Sequence, residues 1–293
     1  MKFSTLAISV AAALVAGSAF AEAGYTIKVG AGRIDPRATS SDLTGTLPVN
    51  TGAGQVVINL PSGNRTEVQP KSTLIFSIER ALNDNWSVEL VAGNPPTHDV
   101  KLLASDTVKA GAVKAAPILT AFGSDALTNP AKATPVITYL TTNVTGGNAA
   151  AAQQMYVGMA TGVQVNKYDG VAVARVKQTA PTMFLNYKFF EPSASFRPYV
   201  GVGLNYTKFK VTPTAAGNDL YGDGEVRISS SDSFGLAFQI GGSYKIDKNW
   251  SINAGWMTAA VRNDVVIRTN HTEERLFYRF HPSVFSATVG YSF

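Results

Sequence analysis

Residues 282–293, PSVFSATVGYSF, alternate without a break. Phe285, Ala287, Val289, Tyr291 and Phe293 fall on one face; Val284, Ser286, Thr288, Gly290 and Ser292 fall on the other. A period of two specifies a strand, and a strand whose faces differ this much in polarity separates two solvents. In a water-soluble sandwich the apolar face meets a second sheet. In an outer-membrane barrel it meets lipid, while the polar face lines the lumen. The terminal aromatic Phe293, two residues after Tyr291, favours the barrel.

The chain opens with Lys2, an apolar run over 6–15, and Ser18-Ala19-Phe20-Ala21, in which Ala19 and Ala21 form an A-x-A cleavage site. This pattern predicts a secretory signal over residues 1–21, with a mature protein beginning at Glu22. The apolar run is shorter than the roughly 20 residues of a spanning helix, and no later stretch supplies about 18 consecutive apolar residues. A helical membrane protein is therefore excluded, yet 15% charged residues is low for a soluble chain. A barrel reconciles the two facts. The absence of cysteine removes disulfides and thiol chemistry. Without Lys2, 24 basic side chains face 20 acidic ones, a balance too mild and too scattered for a nucleic-acid partner.

Seven further segments repeat the alternation: 25–32, 74–79, 86–93, 183–189, 200–207, 234–246 and 250–257. With the last strand, the count predicts an all-β fold, an eight-stranded antiparallel transmembrane barrel of outer-membrane type formed as a single domain over 22–293. Connections alternate between short and long. Residues 83–85, 191–195 and 247–249 read as tight periplasmic turns; 35–71, 95–181, 212–231 and 263–281 read as long extracellular loops. Both termini then lie on the periplasmic side. Trp86, Phe189, Tyr244, Trp250 and Phe293 fall at the turn ends of their strands, where an aromatic girdle is expected. The connection 95–181 is a loop insertion too long for a soluble core. Its middle, Gly146-Gly147-Asn148 followed by four alanines, is low in complexity, and its flanks 162–166 and 171–177 alternate as if to extend the barrel by a hairpin.

Five stretches, in this order, resemble the OmpW family of outer-membrane proteins, which includes the alkane-uptake proteins of the AlkL type: VGAGRIDP (29–36), NDNWSVELV (83–91), FRPYVGVGLNY (196–206), IDKNWSINAGW (246–256) and SATVGYSF (286–293). The connection 95–181 is much longer than in that family. The resemblance implies an eight-stranded barrel in the outer membrane of a Gram-negative bacterium, with a lumen that offers a path to small hydrophobic compounds. Some members are also receptors for bacteriocins. The terminal aromatic strand is similar to the segment that the barrel-assembly machinery recognises.

Assigning each inward residue a height from its strand direction gives a polarity gradient. Near the external rim the inward positions are Ile34, Ile75, Val91, Phe184, Phe209, Met257, Val261 and Val284. Towards the periplasm they include Lys28, Glu79, Asn186, Lys188, Gln239, Ser243, Lys245, Ser251, Asn253 and Thr288, with Glu89 near mid-height. An eight-stranded interior is just wide enough for side chains to fill, and unpaired buried charges are costly. Lys28, Lys188 and Lys245 against Glu79 and Glu89, with Asn253 beside them, are thus expected to form a polar plug under an apolar pocket. Gly30, Gly32, Gly201, Gly203, Gly235 and Gly241 are expected to leave room for a ligand. The open alternatives are upper positions that pack only against one another or the loops, and a continuous aqueous pore.

The three histidines, His98, His271 and His281, fall in external connections with no metal-ligand spacing, and nothing calls for a cofactor or an enzyme; loop catalysis would need a base from this set, for instance His271 near Glu273 and Glu274. Lys71, Arg262, Arg268, Arg275 and Arg279 lie at or above the rim, where lipopolysaccharide is a candidate partner. Two functions follow: uptake of small hydrophobic molecules with lateral release into the membrane, or a structural or receptor barrel that binds a bacteriocin or host partner through the long loop.

Overall fold

Alternation becomes strand at all eight expected segments. The computed structural model describes residues 24–293, so the signal read over residues 1–21 and the start at Glu22 lie outside the described residues. In chain order the first strands are β1 (Tyr25–Asp35), β2 (Ala38–Thr39), β3 (Thr44–Thr51), β4 (Gly54–Asn59), β5 (Arg65–Val68), β6 (Lys71–Ala81), β7 (Trp86–Gly93) and β8 (Thr97–Leu103). Helices α1 (Asp106–Phe122), α2 (Pro130–Asn143) and α3 (Ala149–Asn166) follow, then β9 (Ala172–Thr179), β10 (Thr182–Lys188) and β11 (Phe196–Pro213). The chain ends with α4 (Ala215–Tyr221), β12 (Arg227–Ser230), β13 (Ser233–Lys245), β14 (Trp250–Ala259), β15 (Val261–Arg268), β16 (Glu273–Phe280) and β17 (Ser283–Ser292).

Eight of these strands close into an antiparallel barrel in the order β10-β7-β6-β1-β17-β14-β13-β11, with β10 pairing to β11. Closure leaves no sheet edge, which lipid requires because it cannot hydrogen-bond a bare backbone. The outward rows are apolar and exposed, among them Leu74, Leu90, Leu185, Val202, Leu204, Leu236, Phe238, Ile240 and Ile252. At the turn end, edge-to-face contacts join Trp86 to Tyr187, Tyr187 to Phe189, Trp250 to Tyr291 and Tyr291 to Phe293 at centroid separations of 4.9–5.1 Å, the aromatic girdle of a membrane interface. Leu236 is 60% exposed and Gln239 6%, so Leu236→Arg should cost about 2–4 kcal/mol at mid-membrane. Gln239→Arg should cost less. Urea unfolding in lipid vesicles checks this, and equal costs on the two faces would contradict the alternation.

The long connections are not loops. Most barrel strands break at one level and resume above it, and prolines mark the breaks: Pro36 after β1, Pro70 before β6, Pro95 and Pro96 after β7, Pro181 before β10 and Pro282 before β17. A proline has no N–H to give the ladder. Among the described barrel strands only β11, 18 residues long, runs through without a break. Above the breaks stand two facing sheets, β11-β9-β8-β5-β2 and β12-β15-β16-β3-β4, so connections 35–71 and 263–281 are largely strand, while 212–231 holds the end of β11, helix α4 and β12.

Connection 95–181 is a β8–β9 hairpin with three helices at its tip. Of its two alternating flanks, 171–177 belongs to β9, but 162–166 is the end of α3. The low-complexity middle is the turn into α3: Gly146 and Gly147 take positive φ, Asn148 caps the helix by accepting from Ala151 N–H, and the alanines form the first turn. Ser105 and Asn129 cap α1 and α2 in the same way. Helix α3 lies so close to α1 that a Cβ on Gly162 would sit 2.3 Å from Ala112 N. Gln164 ties α3 to β3 and α4, donating to Pro48 O and Leu220 O and accepting from Asn50 N–H. Because Gly170 N–H donates to Leu102 O, the insert's two ends meet, and replacing residues 105–168 by a two-residue turn should leave a barrel with wild-type heat-modifiable gel mobility.

Candidate functional site

The lumen side chains pair across the barrel at the height where sequence places the plug. Lys28 on β1 lies 2.8 Å from Glu79 Oε2 on β6 and 2.9 Å from Glu89 Oε1 on β7. Lys188 on β10 contacts Glu79 Oε1 at 2.6 Å. Neutral donors complete the carboxylates: Ser87 donates to Glu79, Ser77 donates to Glu89 Oε1, and Asn186 and Gln239 donate to Glu89 Oε2 at 3.0 and 3.1 Å. Gln239 also donates to Asn186 at 2.6 Å, and the Lys28 ammonium lies 5.7 Å from the Tyr199 ring centroid. Two ammonium groups against two carboxylates leave no net charge, and each carboxylate is buried with both oxygens engaged, as a buried ion pair requires.

Three details depart from the sequence reading. Lys245, the last residue of β13, is exposed at the turn-end rim, where it borders the mouth of the lumen with Lys28, Glu79 and Lys188 but its ammonium donates to Pro192 O and not to a plug carboxylate. Asn253 is buried but bonds Ser251, not the ion cluster. The glycines do not leave a void: the Asn186 side chain fills the space at Gly201, and the Tyr199 ring fills the space at Gly241. Gly201 and Gly241 thus allow close approach of plug groups, whereas Gly32 lies against the Ile75 side chain and Gly30 and Gly235 against neighbouring backbone. Tyr199, Ser77 and Ser87 join the plug beyond the residues expected from sequence, and each keeps the alternation of its strand.

Above the plug, a cavity of about 90 Å³ is lined by Ile34, Ile75, Val91, Phe184, Met257, Val261 and Val284, seven of the eight expected apolar positions. A gap of about 20 Å³ bordered by Ile75, Val91 and Met257 reaches down to Lys28 and Glu89. Phe209, the eighth, lies higher because β11 continues past the break; it lines a second cavity of about 80 Å³ between the two upper sheets, with Val100, Val176, Ile228, Val265 and Leu276. Gln178 borders both cavities, and Leu220 and Tyr221 of α4 line the upper one.

Beside the lower cavity the wall is interrupted. The β7–β10 ladder stops at Val91 opposite Thr182, and the β8–β9 ladder begins at Thr97 opposite Lys177. The register slips by one residue between them, and Gln178 N–H to Pro96 O is the bond that bridges the interval. Ala92, Gly93, Pro96 and Ala180 of this seam all line the cavity.

The histidines prove to have other surroundings. His98 is buried on β8 with Nδ1 2.8 Å from Gln69 O, rather than in a loop. His271 pairs with Asp223 at 2.7 Å, not with Glu273 or Glu274. Glu274 is buried and accepts from the Tyr221 hydroxyl at 2.6 Å, and burial pushes its carboxyl up to about 7 from an ordinary 4.5. The folded state therefore binds a proton that the unfolded chain releases, so stability is greatest below about 4.5 and is lost as pH rises to about 7. The loss should approach about 3 kcal/mol. Hydrogen exchange of β15 and β16 should quicken over that interval, and Glu274→Gln should flatten the dependence.

A closed eight-stranded barrel with an apolar outer belt and an aromatic girdle is an outer-membrane protein of the small-barrel class. The OmpW family model matches residues 107–293, and the chain belongs to the OmpW family. It is 33% identical over 127 residues to outer membrane protein W of Vibrio cholerae, an alignment covering 41% of this chain and 55% of that protein. The Escherichia coli K12 protein of that name is 31% identical over 123 residues, covering 41% and 56%. The chain thus spans about half the length of the curated relatives it matches. In fold it is similar to the crystal structure of OprG from Pseudomonas aeruginosa, with a TM-score of 0.60 at 19% identity over 92% of this chain and 96% of that one.

Proposed function

We propose that the barrel takes up small hydrophobic molecules through the stacked apolar cavities and releases them sideways into the membrane at the β7–β10 seam. In this reading the loop end faces the outside of the cell and the termini face the periplasm. The observation that carries it is the position of the lower cavity, directly over a closed ion plug and against an interrupted stretch of wall. A ligand that reaches the cavity meets buried charge below and an unpaired seam beside it. Desolvating the plug is costly, so the lateral way is the lower barrier. The seam adjoins the exposed apolar residues Leu90 and Met183, so the exit opens into lipid.

The chain has no cysteine, which makes a clean test available. With Gly93→Cys and Ala180→Cys joined across the seam by a short thiol cross-linker, uptake of a lipophilic probe by cells should fall, and a cleavable linker should restore it on reduction. Unchanged uptake in the cross-linked barrel would remove the lateral route.

A second reading assigns partner binding to the helical insert, and a specific observation favours it. The insert's helices pack through Val108, Ala115, Val136, Leu140, Tyr156 and Met159, in one apolar cluster with Leu47 and Val49 of β3 and Leu220 and Tyr221 of α4, and its residues line neither of the two stacked cavities. Replacement of residues 105–168 separates the two: uptake retained with partner binding lost assigns a receptor role to the insert.

A further inference from the structure

The outward row of β11 runs Val200, Val202, Leu204 and Tyr206, all exposed to lipid, and then changes to Lys208 and Lys210, also exposed. Register places Lys210 directly opposite Lys177 on β9. On the other side of the molecule Arg262 on β15 stands directly opposite Arg279 on β16, both exposed. Arg262 N–H donates to the Ser233 hydroxyl at 3.0 Å, beside the belt residue Phe234, which fixes this pair at the edge of the apolar surface.

Like charges directly opposite each other destabilise a sheet, so two such pairs require a reason. Most nearby carboxylates are engaged elsewhere. Asp99 holds Arg175, Asp232 accepts from the Tyr206 hydroxyl, and Glu273 holds both Arg268 and Arg275. Asp264, two residues from Arg262 on the same row, forms no ion pair among the described residues. Of the basic residues read as lipopolysaccharide contacts, Arg268 and Arg275 are therefore already satisfied. Among the described residues, Arg279 meets only the Phe277 ring, 5.1 Å away.

We propose that the Lys177–Lys210 and Arg262–Arg279 pairs each clamp a phosphate group of the phosphorylated glycolipid of the outer leaflet, lipopolysaccharide. Both lie where the lipid-facing surface ends, so the partner is continuous with the lipid around the barrel. Phosphate turns each repulsive pair into a two-armed, charge-assisted contact. The proposal rests on the loop end facing outward. Its binding test is independent of uptake and of orientation in cells, so it can fail while the transport reading stands, and the reverse.

Purified full-length barrel in neutral detergent is titrated with lipopolysaccharide and with the same lipid after chemical removal of its phosphates, followed by native mass spectrometry and by the rise in melting temperature. The double variant Lys177→Gln with Lys210→Gln should bind lipopolysaccharide about 25-fold more weakly, about five-fold per cation removed. It should be no less stable than wild type in lipid-free detergent, because the repulsion is gone. Arg268→Gln, a cation already held by Glu273, should leave affinity within about two-fold, and added salt should weaken wild-type binding. Equal affinity of the double variant and wild type, or equal binding of the dephosphorylated lipid, would overturn the proposal.

Discussion

Lys28→Met is expected to destabilise the barrel by about 3–5 kcal/mol, the cost of leaving buried partners of an ion pair uncompensated. Among the described residues Lys28 is the one cation that touches both carboxylates, Glu79 and Glu89, and all three groups are buried. Methionine fills much the same volume, so the loss comes from charge and not from packing. Glu79 would keep Lys188, whereas Glu89 would keep only Ser77, Asn186 and Gln239, none of them charged. Water entry is the relaxation open to such a site, so steady ion conductance should appear in planar bilayers where the wild type is closed. Glu79→Gln should act in the same direction more gently. Uptake of apolar probes should be nearly unchanged in both variants, because the cavity and its seam lie above the plug. A Lys28→Met barrel with wild-type unfolding and no conductance would mean that the cluster neither stabilises nor seals.

The second large effect is expected for Phe184→Asp. Phe184 is 1% exposed and faces the lower cavity beside Val91, Met257 and Ala237. A carboxylate there has no cation within the cavity lining and occupies the space an apolar ligand would fill. Uptake of small hydrophobic compounds should fall about ten-fold or more, equivalent to about 1.4 kcal/mol or more in transfer into the cavity. Heat-modifiable mobility shows whether the barrel still assembles, and Phe184→Ala, which removes bulk without adding charge, should retain uptake. If the aspartate variant assembles and takes up every apolar probe at wild-type rate, the transport reading fails and the insert-borne receptor role is the better account.

The barrel was legible because a membrane strand is specified locally. Lipid outside and a polar lumen inside impose opposite demands on successive residues, so Leu204, Leu236 or Val289 declares its face with no knowledge of its neighbours. Direction and period then fix height, which is why Ile75, Val91, Phe184 and Met257 meet in one cavity and Lys28, Glu79, Glu89 and Lys188 in one cluster. The upper sheets were not legible by the same rule. Outside the lipid their outward rows are charged or polar, as in Arg262 and Asp264 on β15 or Arg275 and Arg279 on β16, and such mixed segments read as loops. The helices were hidden by small side chains: α1 and α3 pack through Gly111, Gly158 and Gly162, which carry no amphipathic signal. Their caps at Ser105, Asn129 and Asn148 were the signal on the page.

Sequence by itself determined the number of barrel strands, their order, the face each side chain takes and the separation of a polar lower lumen from an apolar upper one, because these follow from a period of two and two solvents. Only the tertiary structure decided which lysine joins which glutamate, that Tyr199 and not empty space lies against Gly241, and that the β7–β10 ladder slips beside the cavity. Those features depend on the stagger between strands distant in sequence and on where each strand ends. Lys245 shows the limit: it keeps the inward alternation of β13, yet the strand stops at it, and its ammonium turns out to the rim.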